Sequence, residues 1–184
     1  MRESTLIEII LYFICSSTGM IIGFMLILST IYVRKFRKPP GILVWWAIVS
    51  IFLFFAAIFV FAVYSLLDRV MNVATWNIFG MLWTYATILG SSYILATWIE
   101  IYTKVREPLN MAYRKRALFY HISWQVVSIL LALIGLLIDS YGPDHNGICF
   151  VKHDSIFQVV FFIPVIFNIA AWTLLLMGYR IMDS

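Results

Sequence analysis

The chain has three histidines and two cysteines to offer for metal or acid–base chemistry. His145, Cys149 and His153 recur at four-residue spacing, with Asp144 and Asp154 beside the outer two. These are donor types that zinc accepts. Zinc signatures pair their ligands more tightly on a rigid frame, whereas these three share one polar stretch, 139–154. The plain reading is a polar outer loop, and neither a metal nor another cofactor is expected. His121 stands near the start of an apolar run, where an imidazole snorkels to the interface or caps a helix. The sequence supplies it with no nucleophile. Phosphate-binding glycine loops, His-Glu-x-x-His, Gly-x-Ser-x-Gly and acidic pairs within an apolar run are all missing. The expectation is a protein that is not an enzyme.

Polar side chains inside apolar runs are costly in lipid and often mark function. The run 76–99 is the richest, with Thr84, Tyr85, Thr87, Ser91, Ser92, Tyr93 and Thr97. Thr84, Thr87 and Ser91 follow the three-to-four spacing of one helical face. One reading makes that face the wall of a ligand cavity, with Asn168 as a further candidate. The other has each hydroxyl bonding its own backbone or joining helices. Pro164, one turn before Asn168, is expected to kink or widen its helix.

The elements that must position these residues are apolar runs at 6–33, 42–67, 76–99, 117–138 and 155–179. Each exceeds the roughly 20 residues that a spanning helix needs. Glu8 is the single formal charge inside any of them. Of the 184 residues, 63% are hydrophobic and 12% charged, and the mean hydropathy is +0.95. Soluble domains carry about a quarter charged residues. A soluble enzyme, a disordered chain and a nucleic-acid-binding module are thereby excluded. The expected fold is all-α: one polytopic membrane helix bundle, residues 1–184, with five transmembrane helices. The first run is too long and lacks the basic start of a cleavable signal peptide, so it should stay as an anchor.

Ten of the 13 Lys and Arg residues fall on one side of this topology. They are Arg34, Lys35, Arg37, Lys38, Lys104, Arg106, Arg114, Lys115, Arg116 and Arg180; Arg2, Arg69 and Lys152 lie opposite. The positive-inside rule then places the N-terminus outside and the C-terminus inside. Trp45, Trp76 and Trp98 sit near run ends, as an interfacial belt requires, whereas Trp124 is deeper and expected to pack against helices. Asn146-Gly147 marks a hairpin turn, which would fold the loop 139–154 over the bundle mouth. Cys15, within the first run, and Cys149, in that loop, are expected to be unpaired, since a bridge needs Cα atoms within about 7 Å.

Taken together, these features resemble the first five helices of a seven-transmembrane, G-protein-coupled receptor of the cyclic-AMP-receptor or secretin-like branch. The resemblance rests on the basic turn 32–46, Trp124 in a short fourth helix, the loop 147–151 and the proline-bearing stretch 161–168. It implies ligand sensing and signal transduction at the plasma membrane. Three departures stand beside it. Residues 70–83 hold no cysteine to pair with Cys149, Glu100-Ile101-Tyr102 lacks the arginine of rhodopsin-type receptors, and helices 6 and 7 do not follow before Ser184. Coupling to a G protein therefore requires that those helices be supplied. The alternative is a structural accessory subunit of a larger membrane complex, such as an energy-converting assembly in the mitochondrial inner membrane. On either reading the partners are the lipid bilayer and other membrane chains, with no nucleic acid. Ser16, Thr18, Gly19, Gly23, Ser91, Ser92 and Asn168 are the residues expected to lie uncovered by this chain and to be buried against such partners, so that the isolated chain is not a stable monomer.

Overall fold

The computed structural model describes residues 3–33, 41–67, 72–106, 113–142, 151–152 and 156–182. They form five long helices: α1 (Glu3–Tyr32), α2 (Gly41–Leu66), α3 (Val73–Arg106), α4 (Tyr113–Leu137) and α5 (Phe162–Met182). All five are long and apolar enough to cross a membrane. The all-α, membrane-integral expectation holds, and the five runs map one to one onto the five helices.

Two boundaries move for physical reasons. The run 76–99 extends to Arg106 because a helix needs continuous backbone hydrogen bonding, whereas the apolar run stops at Glu100. With 34 residues, α3 is about 51 Å long at 1.5 Å per residue. That is well beyond the roughly 30 Å hydrocarbon core. Asn72 caps its start: the side-chain Oδ1 accepts the Thr75 N–H at 2.7 Å. The run 155–179 divides into a 3-10 segment, Ile156–Phe161, and α5. Pro164 lacks the N–H that would bond the Val160 carbonyl, and its ring crowds that group. The expected mid-span kink becomes a change of helix type at the entrance of α5, with Pro164 in its first turn.

The hub is α3, which packs against α2, α4 and α5, whereas α1 packs closely only on α2. Half of the apolar window of α3 is buried within the chain, against 12% to 28% for the other helices. The main apolar cluster joins Leu43 and Ala47 of α2 to Leu89, Tyr93 and Ala96 of α3, with Trp46 and Trp124 against it. Trp124 thus packs inside the bundle, its ring 5.2 Å from that of Phe167. Trp76 belongs to the core as well. It is 8% exposed and packs on Phe61 with ring centroids 5.8 Å apart, which removes it from the expected belt.

Ser16, Gly19 and Gly23 of α1 are covered within this chain. A methyl built on Gly19 would fall 2.5 Å from Phe55 Cγ, and one on Gly23 would fall 3.3 Å from Phe52. Ser16, Ser91 and Ser92 are buried here too. Of the seven residues expected to be uncovered, only Thr18 and Asn168 are exposed. The reason is that small residues let two helices approach closely in lipid, and α2 is the nearest helix to take that place.

At the far end of α4, Asp139 adopts the left-handed region with φ 50°. Ser140 N–H bonds Gly135 O at 2.9 Å and Asp139 N–H bonds Leu136 O at 3.1 Å, a Schellman stop. Tyr141 then pairs in antiparallel fashion with Val151. These two residues bring the roots of the expected hairpin together; its turn, with His145, Cys149 and Asn146-Gly147, lies outside the described residues, as does His153.

Candidate functional site: a polar seam beside an open cleft

Because α3 and α4 run antiparallel, positions rising along one meet positions falling along the other. Tyr85, Tyr93 and Glu100 recur every seven to eight residues on α3 and so share one stripe. Facing them on α4 are Gln125, His121 and Arg116, and each polar group finds its counterpart.

At the centre, Tyr85 Oη donates to Gln125 Oε1 at 2.5 Å, and Gln125 Nε2 donates to Tyr93 Oη at 3.3 Å. Tyr93 Oη lies 2.5 Å from His121 Nδ1. Gln125 and Tyr93 thus link Tyr85 to the imidazole in one hydrogen-bonded chain, the sense of its last bond set by the His121 tautomer. Such a chain polarises cooperatively in a low dielectric. Trp46 of α2 closes it on the third side, its ring centroid 4.8 Å from that of His121. His121 is thus neither a snorkelling nor a capping residue. It is the end of an interhelical network.

Two turns along α3, Glu100 is fully buried and meets Arg116 through two hydrogen bonds, Nε to Oε1 at 2.8 Å and Nη2 to Oε2 at 3.0 Å. The forked geometry satisfies both carboxylate oxygens. Tyr120 sits against the same pair. In the sequence Arg116 and Glu100 each stand just outside an apolar run. Their signal was nonetheless present, as opposite charges at matching depth on consecutive antiparallel helices.

The opposite end of the seam is Tyr141, which lies on Gly80, where a methyl group would come within 2.5 Å of its ring. Its hydroxyl donates to Ala132 O at 2.9 Å. Burial pushes this phenol above its ordinary range, with the neighbouring Thr84 hydroxyl pulling the other way.

The four cavity candidates divide. Thr84 is buried beside Tyr141. Thr87 donates to Trp83 O at 2.7 Å and Ser91 to Thr87 O at 3.0 Å, so these two hydroxyls satisfy their own backbone. Asn168 instead lines a cleft of about 130 Å³ between α3 and α5, with Ile94, Trp98, Ala171 and Trp172. Its Nδ2 donates to Pro164 O at 2.9 Å, which fixes the amide. The cleft therefore brings together Asn168 and two tryptophans, while Thr84, Thr87 and Ser91 are not among its walls.

Comparison with protein families, with characterised proteins and with solved structures finds no match. What the chain does has to be argued from its own geometry. Among the described residues no three His, Cys, Asp or Glu side chains gather as a metal site. Cys15 is a free, exposed thiol, and Cys149 lies outside the described residues.

Proposed function

We propose that this is a non-catalytic, receptor-like membrane bundle in which α3 is the axis and the cleft between α3 and α5 is where a ligand or a further helix acts. The observation that carries the reading is the contrast between the two sides of α3. Toward α4, Tyr85, Tyr93 and Glu100 are each hydrogen-bonded to a facing side chain. Toward α5 it leaves an open cleft with an oriented amide, Asn168, and two indoles. A fixed seam on one side and an adaptable face on the other suit a helix that reports occupancy of the cleft. The N-terminus outside and the basic end inside, as the Lys and Arg distribution implies, complete the receptor-like arrangement.

The accessory-subunit reading has one observation of its own. Asn168 is exposed among the apolar, exposed Val165, Ile166, Ile169 and Trp172, and an amide facing lipid favours a contact with another chain. Sequencing the native transcript past the Ser184 codon separates the two. Two further apolar runs of about 20 residues support the receptor reading. In that case Asn168→Leu should change the constitutive second-messenger output of the full chain in cells. An in-frame stop codon would overturn it in favour of the accessory subunit.

A further inference from the structure

The end of the bundle where α1 and α3 finish and α2 and α4 begin is strongly basic, and its cations divide into two kinds. Arg116 is withdrawn: Glu100 holds it through two hydrogen bonds and neutralises it. Lys104, Arg106 and Lys115 are exposed, and among the described residues no carboxylate pairs with them. The Glu100–Arg116 bridge also ties their helices together. Lys104 lies four residues beyond Glu100 and so continues the same stripe, while Lys115 precedes Arg116.

Lys115 occupies the first turn of α4, where the helix dipole already concentrates positive charge. A cation there is destabilising for the helix alone, and an anion seated at that turn relieves it through the lysine and the helix dipole. Lys104 and Arg106 stand in the last turn of α3, at the depth where its length carries it out of the hydrocarbon. Trp45, Trp98 and Tyr102 mark the interface at this same end. By sequence the same end adds Arg34, Lys35, Arg37, Lys38, Arg114 and Arg180, against the acids Glu107 and Asp183.

We propose that Lys104 and Lys115 form a binding surface for the anionic headgroups of membrane phospholipids, seated against the start of α4, with Arg106 adding to the charge of that end. The surface sits at headgroup depth, is open, and has an excess of positive charge that the protein itself leaves unmatched. It does not rest on the receptor reading and holds equally for an accessory subunit.

The test is native mass spectrometry of the chain in neutral detergent, offered equal amounts of phosphatidylserine and phosphatidylcholine. A solubilised chain has no inside or outside, so failure of the orientation does not imitate failure of the site. Phosphatidylserine adducts should dominate and should fall as the ammonium acetate concentration is raised. Lys104→Gln and Lys115→Gln should each lower the preference about five-fold, while Lys115→Arg keeps it and Lys152→Gln, at the opposite end, leaves it unchanged. Circular dichroism checks that the variants keep their helix content, and the salt titration needs no variant. Equal adducts of the two lipids, a preference insensitive to salt, or an equal loss in Lys152→Gln would overturn the proposal. So would complete displacement by inorganic phosphate at matched ionic strength, which would show a simple anion site with no membrane component.

Discussion

The seam between α1 and α2 and the seam between α3 and α4 solve the same problem with opposite chemistry. The first is apolar and relies on shape: Gly19 and Gly23 admit Phe55 and Phe52, and Phe13 stacks on Phe59 at 5.4 Å. The second relies on directed polar contacts, from Tyr85 through Gln125 and Tyr93 to His121, and then the Glu100–Arg116 pair. In lipid, apolar contact alone discriminates poorly, because acyl chains are as apolar as leucine. A polar group facing the wrong way there has no water to turn to. The α3–α4 seam is therefore expected to fix register and rotation, and the α1–α2 seam to supply close packing that tolerates sliding.

Removing Arg116 should break this contrast most. Arg116→Ala removes the ion-pair partner of a fully buried carboxyl group, which costs about 3–5 kcal/mol. Thermal unfolding in detergent measures it. In the apolar seam, Gly19→Leu drives a side chain into the Phe55 ring and should cost about 1–3 kcal/mol. Trimming the ring with Phe55→Ala in the same chain should recover part of that loss, since shape is the whole of this contact.

Smaller effects sharpen the comparison. Tyr93→Phe removes the shared hydroxyl on which Gln125 and His121 converge. Interhelical hydrogen bonds of this kind are worth about 0.6 kcal/mol on average and up to about 1.7. A double-mutant cycle of Tyr93→Phe with His121→Phe should return a coupling in that range, whereas Gly19→Ala with Tyr93→Phe should be additive.

The effect expected at Tyr141 is of similar size, and it depends on pH. Burial raises the phenol's pKa in the folded chain, so the unfolded chain ionises first. The stabilisation is complete below about pH 10 and is lost as pH rises through the folded value. Tyr141→Phe should lose the hydrogen bond to Ala132 O, about 1 kcal/mol near neutrality. Its stability should also decline less steeply than the parent's on the alkaline side.

How much of this was legible in the sequence differs between the two seams. The five helices follow from apolar runs, because lipid demands length and apolarity and little else. Gly19 and Gly23 were visible as small residues, but what they face was not. Small-residue spacing says that something approaches closely without saying which helix. Thr87 and Ser91 were readable as self-bonding hydroxyls from their helical setting alone. Glu100 and Arg116 were passed over because each lies just outside an apolar run, where a charge ordinarily meets water. Only the antiparallel pairing of α3 with α4 brings them together and buries the acid. The role of His121 is hidden in the sequence for the same reason, since its partner Tyr93 is 28 residues away. Asn168 and Trp172 stand four apart and are legible as one helix face, whereas the cleft needs Trp98 from α3 to exist.

The central claim is that a specific ion pair, and not general apolar packing, sets α3 against α4. A charge swap tests it most directly. Glu100→Arg and Arg116→Glu should each destabilise the chain strongly in a detergent unfolding assay, because each places like charges together at a buried site. Combined, they restore an opposite pair and should recover most of the loss, with a coupling of about 2–3 kcal/mol. Strictly additive losses in the double variant would contradict the claim and leave α3 and α4 held together by shape alone.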